Sequence, residues 1–299
     1  QVNILAHSMG GLVARQYVSD SERAKQVKHL VTLGTPYLGA PKSTLAIIDG
    51  VCLVEPEIIK IGGNSIKACI SDPKTIQEII QNFPGAYQLA PSDAYFKVYD
   101  GYIVEGGYIF RDKQDYLDAD ESLELLKEHN EGLAGKAKEF HEKVDGWGED
   151  VTNDVEVLMI AGCCSNTIST IIKRFKAPSW ESPFINEPLY MVDVTILGDG
   201  TVPLRSATMS GEGVNLRGNV PLKVFRGREH LKLAQDDKVL GCVQDFFENI
   251  EGKELPESCS EPQATAVVAP ADRWTELLKG LKEFTLVFKR YPGPAIGYG

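Results

Sequence analysis

The sequence predicts an α/β fold with a mostly parallel sheet, on three observations. An apolar run, Val2–Ala6, passes through a turn of small residues straight into an amphipathic stretch, Leu12–Val18. A second apolar run, Val27–Leu33, follows at the spacing of a strand–helix–strand unit, whose crossover makes its two strands parallel. Sheet-like runs return at Val155–Gly162 and Leu189–Ile196, each apolar or alternating and each followed by turn formers.

The remaining elements follow in order. Gly34-Thr35-Pro36-Tyr37-Leu38-Gly39-Ala40-Pro41 forces a loop after the second strand. From about residue 42 to residue 154 the pattern loosens into short helical stretches, such as Pro73–Asn82 and Asp120–His129, and reads as a helical cap inserted into the sheet domain. Between Arg111 and Asp154 stand fourteen acidic and six basic residues, which supply most of the negative charge and mark a solvated cover. Leu222–Phe225 is a further strand. In Asp236–Gly252 the residues Val239, Leu240, Val243, Phe246 and Phe247 fall on one helical face, and that helix closes a domain spanning residues 1–252. Residues 253–299 read as a linker rich in Pro, Glu and Ser and a C-terminal tail too short to be a domain alone.

Composition excludes several function classes. The 299 residues are 43% hydrophobic, enough for a large core. Lysine and arginine number 31 against 42 acidic residues, a net charge of −11 that disfavours a nucleic-acid surface. No apolar run reaches the roughly 20 residues that cross a bilayer. Six cysteines are too sparse for a disulfide scaffold and form no C-x-x-C pair, although Cys52 with Cys69 or Cys242 with Cys259 leaves room for a bridge. Adjacent Cys163 and Cys164 read as packed thiols on opposite faces of a strand. Phosphate-loop and EF-hand patterns are absent, so neither a metal nor an organic cofactor is expected. The compartment stays open, the lack of an N-x-S/T sequon leaning toward the cytoplasm rather than secretion.

Ala6-His7-Ser8-Met9-Gly10 is a variant of the G-x-S-x-G elbow, with alanine for the first glycine. Such a turn lifts a serine hydroxyl above the sheet, and the residues two before and two after must be small for the chain to bend so sharply. Gly11 permits the helix to approach the neighbouring segment closely. A serine hydroxyl becomes a useful nucleophile only with a histidine base and a carboxylate to orient that base. Asp199, between two glycines in Leu197-Gly198-Asp199-Gly200-Thr201-Val202-Pro203, sits in a tight exposed turn after a strand. Asp193 lies inside that strand, where an outward position is expected. His230 comes 31 residues after Asp199, beyond another strand and before the last helix. His7 points away from the serine hydroxyl as an oxyanion-side or packing residue, His29 opens a strand, and His129 and His141 belong to the acidic insertion.

The run Ala6–Leu12, the loop Thr32–Pro41, the segment Phe83–Ser92 and Gly198-Asp199-Gly200-Thr201-Val202-Pro203 together resemble the lecithin:cholesterol acyltransferase-like family of α/β-hydrolases, over roughly residues 1 to 250. The resemblance implies Ser8 as nucleophile, Asp199 as orienting acid and His230 as general base. With the backbone N–H of Met9 as one oxyanion donor, it implies a serine hydrolase or O-acyltransferase acting on lipid esters. Such an enzyme needs no transmembrane segment and allows transient contact with a lipid surface. In that family several strands, and the loop carrying the second oxyanion donor, precede the elbow. Here the elbow begins at residue 6, so the N-terminal strands of the fold are expected to be missing and the chain to be part of a longer protein, with reduced activity by itself. The rival expectation is a non-catalytic homologue that keeps the fold as a lipid- or partner-binding module.

Overall fold

The computed structural model describes residues 1–50, 58–61, 64–67, 72–105, 115–147, 154–175 and 188–248. The chain divides into two units, Gln1–Gln263 and Ala264–Gly299, and the described residues lie in the first. The whole of the expected linker and tail, residues 253–299, lies outside them.

The first strand, β1 (Val2–His7), leads through Ser8 into α1 (Met9–Val18). A short α2 (Ser21–Ala24), capped by the Asp20 carboxylate on the N–H groups of Glu22 and Arg23, turns the chain into β2 (Val27–Leu33). Proline opens α3 (Pro41–Asp49), where its missing N–H costs nothing. Next come the antiparallel pair β3 (Ile58–Ile61) and β4 (Asn64–Lys67), then α4 (Pro73–Ile80) and α5 (Pro84–Gln88), both again opened by proline. Two short strands, β5 (Ile103–Glu105) and β6 (Asp115–Tyr116), precede α6 (Ala119–Val144). A capping box starts α6: Asp118 and Glu121 each accept from the other's backbone N–H.

After α6 come β7 (Glu156–Cys163), β8 (Thr167–Phe175), β9 (Pro188–Thr195) and α7 (Leu204–Thr208). A two-residue pair, β10 (Ser210–Gly211) with β11 (Val214–Asn215), leads to β12 (Leu222–Arg226). A 3₁₀ helix, His230–Gln235, and α8 (Asp237–Glu248) end the described chain.

The central sheet has the order β1-β2-β7-β12, and all its pairs are parallel. Both faces are covered, as the near-continuous apolar runs of β2 and β7 require. Because side chains alternate, Val31, Leu33, Leu158, Ile160 and Phe225 pack with Val239, Val243 and Phe246 of α8. Leu30, Val157 and Met159 point the other way, into the cluster that holds Leu12 and Ala14 of α1. Burial of each large apolar side chain of α8 contributes at most about 1.5–3 kcal/mol. This sheet aligns the carboxyl ends of four strands along one edge, from which the chain leaves at Ser8 after β1, at Gly34 after β2, at Cys164 after β7 and at Gly227 after β12.

The insertion differs from its expected all-helical character. β5 pairs antiparallel with β6 and parallel with β8, and β8 pairs antiparallel with β9, making a second sheet of order β6-β5-β8-β9. The run Leu189–Ile196 therefore forms the edge of this second sheet and not a strand of the central one. Its half-exposed side chains suit the edge of an antiparallel sheet, whereas β2 and β7 are buried along nearly their whole length. The helix at Asp120–His129 continues to Val144 past a break at Asn130, whose side-chain oxygen accepts from the Leu133 N–H and restarts the helix.

Cys163 and Cys164 are free thiols, and Cys242, buried on α8, is disulfide-bonded; Cys52, Cys69 and Cys259 lie outside the described residues. Cys164 turns out of the strand at φ 76° instead of continuing its alternation. Among the described residues no helix is long and apolar enough to cross a membrane.

Candidate active site

Ser8 sits between β1 and α1 with φ 57° and ψ −130°, backbone angles that cost a non-glycine residue on the order of 1–3 kcal/mol and are held only by surrounding structure. The Ser8 N–H donates to the Leu33 carbonyl at 2.9 Å, tying the bend to the end of β2. Gly11 makes the bend possible from the other side. A Cβ there would collide with the Thr35 side chain, so α1 lies closer to the loop after β2 than any other residue permits.

Asp199 stands in a turn closed on itself by the Gly198–Pro203 bridge and fastened to the chain after β7, where the Ser165 N–H donates to the Gly198 carbonyl at 2.9 Å. The Thr167 hydroxyl accepts from the Gly200 N–H at 2.9 Å. One carboxylate oxygen, Oδ1, accepts from the N–H groups of Thr201 and Val202 at 3.0 and 2.8 Å. The other, Oδ2, stays available. This buried carboxylate thus has its position fixed by backbone and a single free oxygen to offer.

His230 opens the 3₁₀ helix after β12. Its Nδ1 lies 2.7 Å from Asp199 Oδ2 and its Nε2 lies 2.8 Å from Ser8 Oγ. A carboxylate only accepts, so Nδ1 carries the proton, and the lone pair of Nε2 faces the serine hydroxyl. The structure thus brings the three residues from separate loops into one chain of hydrogen bonds. Met9, the first residue of α1, follows Ser8 at a helix N-terminus, where backbone N–H groups have no acceptor within the helix.

His7, expected as an oxyanion-side or packing residue, and Gly34 and Ser206, which the sequence expectations did not name, shape this arrangement. His7 does more than pack: its Nε2–H donates to the His230 carbonyl at 2.9 Å, and the two rings lie 4.9 Å apart. Burial holds the His7 imidazole below its ordinary pKa of 6.5, keeping it neutral beside a second histidine. Gly34, at φ 56°, lets β2 end directly beneath the pair, since a Cβ there would stand 3.0 Å from Asp199 Oδ2 and 3.1 Å from His230 Nδ1. Its place between an apolar strand and Thr35-Pro36 is the sequence signal that singles it out. The Ser206 hydroxyl, wholly buried, donates to the Gly39 carbonyl at 2.6 Å and locks the same loop to α7.

The other sequence candidates lie apart. Asp193 is on β9, His29 meets the side chain of Asn3 at 2.9 Å, His129 meets Gln81 at 2.9 Å, and His141 meets Asp145 at 2.7 Å. Among the described residues no group of three or more His, Cys, Asp or Glu could hold a metal ion.

With this geometry established, comparison with known proteins finds one family model similar to the N-terminal part of the chain. Residues 1–48 match the PGAP1-like alpha/beta domain. The matched stretch runs from β1 through the elbow and β2 into α3, and with the parallel sheet it supports an α/β-hydrolase type of domain without singling out the lecithin:cholesterol acyltransferase-like family. Among solved structures, a chain of the Tle4–Tli4 complex aligns with a TM-score of 0.49 at 18% identity, over 79% of this chain and 57% of that one. The chain thus spans little more than half the length of that neighbour. Comparison with curated proteins finds no match.

Proposed function

We propose that the protein is a serine-dependent acyl hydrolase or O-acyltransferase acting on lipid esters. The observation that carries this reading is the pair of hydrogen bonds at His230, 2.8 Å to Ser8 Oγ and 2.7 Å to Asp199 Oδ2. Ser8 Oγ attacks the ester carbonyl while His230 Nε2 takes its proton, and Asp199 stabilises the resulting imidazolium. The N–H of Met9 donates to the developing oxyanion. The imidazolium then returns the proton to the departing alkoxide, leaving an acyl group on Ser8. Water or a second alcohol, deprotonated by the same imidazole, resolves that acyl-enzyme and decides between hydrolase and transferase.

The surroundings of the triad favour a lipid ester over a charged substrate. Met9, next to Ser8, is 37% exposed; Leu231, next to His230, is 67% exposed. Phe83, 53% exposed, joins Met9: its ring and the Met9 sulfur stand 3.0 and 3.2 Å from the point where a Cβ on Gly85 would be. Apolar side chains left in water beside a nucleophile suit contact with acyl chains. The net charge of −11 disfavours anionic lipid surfaces and points to neutral or zwitterionic ones.

The test is to supply a phospholipid or acylglycerol, with and without a long-chain alcohol, and to separate released fatty acid from transferred acyl ester. Activity in either channel that disappears in Ser8→Ala supports the reading; undiminished turnover in Ser8→Ala contradicts it. A non-catalytic binding module has no use for the hydrogen-bonded Asp199–His230 pair.

A further inference from the structure

We propose that Cys163 and Cys164 form a reversible dithiol–disulfide site, and that closing it loosens the loop that carries His230. In an extended strand adjacent side chains point to opposite faces, and two such thiols do not meet. Here β7 ends at Cys163, and Cys164 takes φ 76°, in the left-handed region that a residue with a side chain seldom enters. The turn brings the Cys164 thiol back beside its neighbour: burial, and then a hydrogen bond with Cys164, push the Cys163 thiol up to about 12. Both thiols are free, Cys163 buried and Cys164 exposed. The strained backbone thus holds together two thiols that a straight strand would part.

Exposure sets the order of the chemistry. A small disulfide such as oxidised glutathione reaches Cys164 first. The Cys164 thiolate attacks one of its sulfurs, a Cys164–glutathione bond forms and one glutathione thiolate leaves. Cys163 then gives up its proton, its sulfur bonds to Cys164 Sγ, and the second glutathione departs as thiolate. The protein loses two electrons and two protons, and the oxidant ends as two glutathione thiols. The product is an eight-membered ring that contains the Cys163–Cys164 peptide. Neighbouring Cα atoms stand about 3.8 Å apart, short of the roughly 4.4–6.8 Å usual across a disulfide, so the ring is strained and readily reduced again.

The same peptide is a structural tie. Its oxygen, the Cys163 carbonyl, accepts from the Gly227 N–H at 3.0 Å, where the chain leaves β12 toward His230. Ser165, directly after the pair, donates its N–H to the Gly198 carbonyl at 2.9 Å, in the turn that holds Asp199. Closing the ring twists this peptide and draws its carbonyl away from Gly227, so the change reaches the His230 loop through one hydrogen bond.

The test is to treat the folded protein with oxidised glutathione, alkylate the remaining thiols and weigh the peptide that carries both cysteines. The expected peptide is lighter by two hydrogens, unalkylated and free of glutathione, and dithiothreitol restores both thiols. In Cys163→Ala glutathione stays on Cys164, because no neighbour expels it. In Cys164→Ala uptake at position 163 is at least about tenfold slower, since a buried thiol reacts poorly. Amide hydrogen exchange in the peptide spanning Gly227 should rise at least about threefold on oxidation of the parent and stay constant in Cys164→Ala. Where Cys163→Ala fails to fold, the parent and Cys164→Ala decide. Glutathione retained on Cys164 of the parent, or both thiols still open to alkylation after oxidation, overturns the site; unchanged exchange at Gly227 overturns its link to the His230 loop. No readout here uses Ser8, so these results stand whether or not Ser8 proves to be a nucleophile.

Discussion

Asp199 and His230 are joined twice: the His230 N–H donates to the Asp199 carbonyl at 2.7 Å, and the His230 ring donates from Nδ1 to Asp199 Oδ2, also at 2.7 Å. Backbone and side chain of one residue are thus registered on backbone and side chain of the other, although 31 residues separate them. The imidazole has little freedom to turn away from Ser8. Such preorganisation is what proton transfer between positioned groups requires.

The first prediction concerns that pair. In Asp199→Asn the amide oxygen keeps the N–H bonds of Thr201 and Val202, while the amide nitrogen faces His230 Nδ1. Two donors cannot share one bond, so the imidazole moves its proton to Nε2 and loses its ability to accept from Ser8. Ester turnover is expected to fall by the order of 10⁴-fold with the circular dichroism spectrum unchanged. Undiminished turnover would remove Asp199 from the mechanism.

A second prediction follows from Gly34. In Gly34→Ala the methyl group meets Leu233 Cδ1, Asp199 Oδ2 and His230 Nδ1 within about 3 Å, and φ of 56° strains any side chain. Turnover should drop at least about tenfold, and stability by about 1–3 kcal/mol. Gly227→Ala is the control: its φ is 67° but nothing lies within 4 Å, so it should lose about 1–2 kcal/mol and keep its turnover. Equal effects on turnover in both variants would mean that crowding at the triad is irrelevant.

The pH dependence of stability supplies a third. Burial lowers the pKa of His7 below its unfolded value of 6.5, so the unfolded chain binds the proton more readily. The contribution of neutral His7 is present above pH 6.5 and is lost as the pH falls from there toward the depressed folded value. Denaturant midpoints measured from pH 8 to pH 5 should therefore decline less steeply in His7→Gln than in the parent. An identical slope would show that His7 titrates alike in both states.

Much of this arrangement is legible in the sequence because it is local. The bend at Ser8 needs only a strand, small neighbours and a helix in succession, and the Gly198–Pro203 turn carries its own glycines. His230 is identifiable by its position after a strand and before the last amphipathic helix. Pairing partners are a different matter. Leu189–Ile196 reads as a strand in either sheet, and only the tertiary partner β8 assigns it to the second one. The break at Asn130 is hidden because helical periodicity continues on both sides of it. The bond from His7 to the His230 carbonyl joins residues 223 apart, and nothing local announces it.

The central claim is that His230 activates Ser8 as a nucleophile, and the most direct measurement is mass spectrometry of the folded protein after treatment with a fluorophosphonate. The account predicts one adduct, on the peptide that carries Ser8, absent in Ser8→Ala and forming far more slowly in Asp199→Asn. A folded protein that remains unmodified, or carries its adduct on another residue, would contradict it.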